Sequence, residues 1–257
     1  MKIEVNSFFV FTQKELKEQV RTYKGAVVAI ILLLFGMTSP LLAKLTPEIF
    51  KMADLGVAIK IPDPTYLDAY AQFFKNIGQM VLIILMLIYS GSVVSETTKG
   101  TTSIMLTKRL SRSSFVLSKF LSAVIVWTLS YAVSAALCIV YTIYLFPSGK
   151  PQYLLLSLAC MWLFGILTLA IAIFSSAVFK NFALAAVASF CIWGLTLVVS
   201  TIPKVKDYAP ALIGTANTQL IGGGLSPDKL LFPVLTGLAA TALLMTGACL
   251  IFHRREL

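Results

Sequence analysis

The chain has 257 residues, of which 58% are hydrophobic and 12% charged, and carries a formal net charge of +10. A mean hydropathy of +0.88 excludes a soluble globular domain, which would expose far too much apolar surface at this composition. The basic balance of a membrane chain is spent on topology and anionic lipid, so no nucleic-acid partner is implied. Uncharged windows of the length needed to cross a bilayer core of about 30 Å recur along the sequence. They define an all-α integral membrane protein, read as one transmembrane domain over residues 1–257.

Residues 1–24 are amphipathic. Val5, Phe8, Phe9, Thr12, Leu16, Val20 and Tyr23 recur near helical spacing, while Lys14, Lys17, Glu18 and Arg21 fill the other side. Lys14 and Glu18 are placed to form an ion pair one turn apart. The pattern predicts an interfacial helix with its aromatics toward lipid and its cations toward headgroups. Its acids, Glu4, Glu15 and Glu18, argue against a cleaved leader.

Six spans follow, at about 25–43, 77–95, 116–146, 153–178, 183–202 and 230–252. The segment 44–76 is read as an outer loop with a helix start at Thr46-Pro47-Glu48, a cap followed by proline and an acid. Ile61-Pro62-Asp63-Pro64 breaks it, and a second amphipathic piece from Tyr66 leads into span two. Span three is long for one crossing and is expected to tilt or project. Pro147-Ser148-Gly149-Lys150-Pro151 is a turn, and Phe179-Lys180-Asn181-Phe182 is a very short link. The stretch 203–229 is the least regular; it reads as a loop or as two short re-entrant pieces, which need burial in protein or a water-filled cavity. With the N-terminus inside, the inner segments hold 13 of the 21 Lys and Arg residues. Both termini are therefore expected in the cytoplasm of a multi-pass protein of the cell's inner or plasma membrane.

Between spans two and three lies a docking segment. A cap-like Thr101-Thr102 pair precedes the apolar triplet Ile104-Met105-Leu106, flanked by Lys99, Lys108, Arg109 and Arg112. Gly100 permits a sharp turn. A short helix with one apolar side, held at a membrane surface by cations, is a handle for a partner, with lipid headgroups as the competing partner of its cations.

Catalytic chemistry is missing. No Asp, Glu, Lys or Arg is expected well inside a span, so ion-coupled transport, which buries such groups, is not implied. His253 lies alone among arginines and makes no acid–base site. Ser90-Gly91-Ser92 is read as helix packing rather than as a nucleophile. No G-x-x-x-x-G-K-[ST] occurs. Cys138, Cys160, Cys191 and Cys249 fall in apolar windows without metal-ligand spacing. No catalytic residue, metal or cofactor is assigned to the chain.

The segment 96–121 resembles the signature of type-2 ATP-binding cassette (ABC) exporter permeases. Glu96 with Gly100-Thr101, then Met105-Leu106-Thr107, Ser111-Arg112 and Leu117-Ser118-Lys119-Phe120-Leu121 follow the order E-x-E-x-G-T, a leucine-rich helix, P-x-S-R and L-L-G-K-F. Lys14-Glu15-Leu16, Ser176-Ala177-x-Phe179-Lys180-Asn181 and the closing Phe252-His253-Arg254-Arg255-Glu256-Leu257 are similar to other parts of the family. Thr98, Arg109 and Ser118 depart from it. The resemblance implies a fold like that of type V exporters, with a cytoplasmic coupling helix between spans two and three. It also implies a pair of separate ATPase subunits that bind ATP and Mg, and a second permease protomer, identical or a sister chain. Thr101, Thr102, Ile104, Met105, Leu106, Lys108, Arg109 and Arg112 become the main ATPase contact. Phe179, Lys180 and Asn181 form a minor one. Glu96, Gly100, Ser111 and Lys119 are structural, with Glu96 expected to pair with Lys99 or with a basic residue of the N-terminal helix. The implied function is ATP-driven export of a hydrophobic or amphipathic cargo such as a peptide, drug or lipid-like molecule. The alternative is a membrane anchor or sensor that recruits an ATPase without transport. Trp127, Tyr131, Tyr141, Tyr144, Trp162 and Trp193 read as packing or interface anchors, and no residue is assigned to cargo.

Overall fold

A computed structural model of the chain describes residues 2–52, 63–98, 111–147 and 151–254, with Gly100 and Gly149 besides. Among the described residues all regular structure is helical, and six helices are long and apolar enough to cross a membrane, as the hydropathy windows predict.

Helix α1 (Lys2–Arg21) precedes the first span and is separated from it by a turn at Tyr23, whose φ of 58° is left-handed. A bulky side chain resists that conformation and glycine does not. Tyr23 is largely exposed, so Tyr23→Gly is expected to stabilise the fold by about 0.5–1 kcal/mol, read as a higher melting temperature in detergent.

Helix α2 (Lys24–Met52) runs through both Pro40 and Pro47, where the sequence reading ends the span near residue 43 and starts a new helix at Thr46. The hydroxyls before each proline turn back one helical turn: Ser39 Oγ donates to Phe35 O at 2.6 Å and Thr46 Oγ1 to Leu42 O at 2.6 Å. Such back-bonding helps a helix tolerate proline where little water competes for the backbone.

The second span is built in pieces. Helix α3 (Tyr66–Asn76) starts with Thr65 and Asp68 capping each other, continues through a π-helical turn (Ile77–Val81) into α4 (Leu82–Tyr89), breaks at residues 90–93, and resumes as α5 (Val94–Thr98). The third, α6 (Arg112–Leu145), is about 51 Å long at the helical rise, well beyond a bilayer core, and its surplus at the Arg112 end carries α1.

Helix α7 (Leu154–Val178) is the central element, with 67% of its apolar window buried. It contacts α4, α6, α8 (Phe182–Val199) and α11 (Leu231–Arg254). Helices α6 and α7 are joined by polar contacts made within apolar surroundings: Trp127 Nε1 donates to Trp162 O at 3.0 Å, Trp162 Nε1 to Thr128 Oγ1 at 2.9 Å, and Tyr131 Oη to Leu158 O at 2.9 Å. Three of the aromatics named above are thus helix-to-helix fasteners.

The irregular stretch before α11 folds inward. Helices α9 (Leu212–Thr215) and α10 (Asn217–Ile221) pack on α7. A Cβ on Gly214 would fall 2.2 Å from the Phe164 ring, and Phe164 lies about 15 Å along α7 from Leu154. The pair therefore reaches the middle of the bundle and returns to its far end, where Gln152 N donates to Ile221 O at 3.3 Å. Of the two readings of this stretch, the re-entrant one describes the chain. Buried Asn217 supplies the stitch, donating from Nδ2 to Ile213 O and Gly214 O at 3.2 and 2.9 Å.

Candidate functional site

At the end of the bundle opposite those loops, α1, α5 and α6 meet around one ammonium group. Lys119 is 4% exposed. Its Nζ donates to Glu15 Oε2 at 2.8 Å and to Glu96 Oε1 at 2.5 Å, and lies 5.1 Å from the centre of the Phe115 ring. Lys14 adds a second cation at the rim: it contacts Glu15 Oε1 at 3.0 Å and Glu18 Oε2 at 2.6 Å, and stands 3.9 Å from Glu96 Oε1. Beside the charges, Tyr89 Oη donates to Gln19 Oε1 and Gln19 Nε2 to Ser122 Oγ, each at 2.8 Å.

The helical repeat explains the convergence. Thr12, Glu15 and Gln19 are spaced i, i+3 and i+7, so they share a face, and all three are buried. The face of α1 turned to the bundle is therefore polar, while Phe9, Val10, Val20 and Tyr23 are exposed. The amphipathic pattern of 1–24 is real, but Glu15 and Gln19 seal the helix to its neighbours instead of meeting headgroups. A second fastening is aromatic: Phe115 stacks on Phe252 at 5.4 Å and meets Phe11 at 5.7 Å, joining α1, α6 and α11.

Electrostatics follow from these neighbours. For Lys14, burial alone would lower the pKa, but the hydrogen bond to Glu18 and the charges of Glu15 and Glu96 hold it above its ordinary value. For Glu18, burial acts upward and is outweighed by Lys14, so the carboxyl lies below its usual range. Both groups are ionised at neutral pH. Carboxylate oxygens of Glu15, Glu18 and Glu96 approach within 4.8 Å of one another, and the cations found among them are the two lysines. A polar gap of about 30 Å³ beside Lys119, bordered by Ser92 and Ser95, is large enough for a water molecule.

The neighbouring turns are also secured. Ser176 Oγ of α7 accepts from Val93 N and Val94 N at 2.9 and 3.1 Å, capping the start of α5. Ser90 is held by Met86 O and by Ser189 Oγ, which is helix packing. Phe182 packs on Gly91, bringing the 179–182 link next to the break in span two. Asn181 Oδ1 accepts from Ala183 N at 2.9 Å and so caps α8. Ser111 Oγ caps α6, accepting from Ser114 N at 3.1 Å. Arg112 donates to His253 O at 2.9 Å and to Phe252 O at 3.4 Å, a cation on the last carbonyls of α11. Gly100 has a left-handed φ of 71°.

Of the residues singled out in the sequence, Glu96 and Lys119 meet directly. Phe179, Lys180 and Asn181 form the α7–α8 turn, with Lys180 exposed. Thr101, Thr102, Ile104, Met105, Leu106, Lys108 and Arg109, with Lys99, lie outside the described residues. One reading is corrected: ionisable groups are buried after all, Glu15, Glu96 and Lys119 each being under one-tenth exposed. Glu96 lies 3.9 Å from Lys14 of the N-terminal helix, as expected, and meets Lys119 of α6 more closely. The roles of Glu15, Gln19 and Ser122 were missed; the visible signal was polar side chains at i, i+3 and i+7 in α1, answered by one lysine near the start of an otherwise uncharged span.

Comparison with known proteins places this arrangement. Residues 10–257 match the ABC-2 family transporter protein family. The chain is also similar to the uncharacterized transmembrane protein YxlG of Bacillus subtilis (strain 168), with 25% identity over 211 residues, covering 78% of this chain and 80% of that protein. The family match covers α1 from residue 10 onward, all six apolar helices and the ion cluster that joins α1, α5 and α6, so the chain belongs to the ABC-2 family and is a transmembrane permease component of an ABC transporter.

Proposed function

We propose that the chain is the permease of an ATP-driven exporter of hydrophobic or amphipathic cargo. A pair of separate ATPase subunits, which bind ATP and Mg, docks beneath it on the cytoplasmic side, and a second permease protomer, identical or a sister chain, stands beside it. Both termini and the 99–110 segment face the cytoplasm of the inner or plasma membrane. The ion cluster is the observation that carries this reading. The two flanks of 99–110 are α5 and α6, and Glu96 on one is tied through Lys119 to the other and to Glu15 on α1. A push on the segment is then delivered to three helices together rather than absorbed by one loop. Buried charges held by several partners resist separation, because each lost contact leaves a charge uncompensated in a low dielectric. The break at residues 90–93, capped by Ser176, lets α5 move as a lever against α4.

Leu106→Asp is expected to abolish co-purification of the ATPase from detergent extracts while the chain still reaches the membrane; wild-type recovery of the ATPase overturns the docking assignment. An ATPase that binds but cannot hydrolyse ATP separates the two modes of action. Export stops if the chain is a permease, whereas recruitment alone survives if it is an anchor.

A further inference from the structure

A second site lies at the other end of the bundle. A cavity of about 340 Å³ opens between α3, the π-helical turn, α7, α8 and the inserted α9–α10 pair. Its apolar walls come from Phe74, Phe164 and Leu197, and its polar positions from Lys75, Gln79, Trp193 and Thr218. Three features converge there. Lys75 is the single charged residue lining the cavity, and among the described residues it has no ion-pair partner. The nearest acid on the same helix, Asp68, is already committed: its Oδ2 accepts from Thr65 N and Oγ1 at 2.8 and 2.9 Å. Finally, Gly78 and Gln79 belong to the π turn, a distortion that recurs at functional positions in helices.

We propose that this cavity binds a single-chain amphiphile with an anionic head. Lys75 supplies the counter-charge and Gln79 a donor, while the Trp193 ring forms part of the wall. The chain of the ligand lies along Phe74, Phe164 and Leu197. A neighbouring cavity of about 450 Å³, which Asp68 also lines, shares Ala71, Lys75 and Thr218 with the first, so the ammonium stands at the junction of the two. At about 340 Å³ the first cavity lies near the lower end of the usual range of about 300–1,000 Å³ for ligand pockets, a size suited to one acyl chain. The shared chemistry is an acceptor-rich anion on a hydrocarbon tail, carboxylate in a free fatty acid and phosphate in a lysolipid. As an assignment of cargo class the inference rests on the export reading; as a binding site it stands in the permease alone.

The test uses the full chain purified in a neutral maltoside detergent and reads tryptophan fluorescence. The probes share one brominated acyl chain and differ in head: a fatty acid, a lysophosphatidic acid and an uncharged monoglyceride. Saturable quenching by one or both anions is expected, the responding head identifying the source as free acid or lysolipid. Trp193→Phe removes the saturable component, because the other two indoles belong to the α6–α7 contact. Lys75→Met weakens apparent affinity for the anion at least about tenfold, the loss of one charge-assisted hydrogen bond, and leaves the monoglyceride unchanged. Equal saturable quenching by the monoglyceride, insensitivity to Lys75→Met, or a saturable signal that survives in Trp193→Phe each overturns the site. None of these results bears on ATP-driven transport, which is measured with the ATPase in vesicles, so the two proposals fail separately.

Discussion

Lys119→Met is expected to destabilise the protein by about 3–5 kcal/mol, the usual consequence of stripping one partner from a buried ion cluster. The substitution removes the ammonium between Glu15 and Glu96 and leaves two carboxylates facing each other with Lys14 only at the rim. A large fall in melting temperature in detergent is the readout. Volume is nearly conserved, so the effect isolates charge from packing. Neutralising the acids as well, with Glu15→Gln and Glu96→Gln beside Lys119→Met, is expected to recover most of the loss, because a neutral hydrogen-bonded trio carries no uncompensated charge. That triple variant separates stability from coupling: it should insert and retain its ATPase yet export slowly, since its weaker contacts let α1, α5 and α6 slip past one another. A single variant that melts with the wild type would show that the three helices are held by something else.

Gly165→Leu is the second large effect. A Cβ at this position would fall 2.2 Å from the Trp127 ring, where α6 and α7 meet. Trp127 has little room to retreat, being fully buried, stacked on Tyr131 at 5.1 Å and hydrogen-bonded through its indole to Trp162 O. Overpacking of this kind costs about 3 kcal/mol. Trp127→Ala alone is expected to cost about 3–5 kcal/mol through the cavity it leaves. The double variant should be better than the sum of the two, since leucine fills part of the space the indole vacated. Additive losses, measured by thermal melting of the four proteins, would mean that the two positions do not share a contact.

The membrane-spanning helices were legible because the bilayer imposes a length and an apolarity that few other environments demand. The same physics explains the errors. Pro47 marks a helix start by the rules of soluble proteins, but Thr46 turns its hydroxyl back on Leu42 and the helix continues to Met52. Lys119 was recognised as part of a motif and placed inside a span, yet its burial was not foreseen, because hydropathy averages one lysine away among its neighbours. Glu15 enters the sequence reading only as an acid that argues against a leader and as part of Lys14-Glu15-Leu16; only the tertiary partner, 104 residues downstream, reveals that it faces inward. The re-entrant α9–α10 pair could be suspected from its glycines and prolines, but its depth depends on Gly214 finding Phe164, a contact that no local pattern encodes.

The separation of Glu15 from its partner has a consequence for biogenesis. Translation delivers about 5–20 residues each second, so roughly 5–20 s pass between emergence of α1 from the ribosome and arrival of Lys119. Throughout that interval Glu15 lacks its Lys119 counter-ion and has only Lys14 of its own helix to pair with. Docking of α1 is therefore a late step of assembly. Until the third span has been inserted, the nascent chain presents a polar helix face, Thr12, Glu15 and Gln19, that a membrane-protein chaperone or a quality-control protease can distinguish from the finished product.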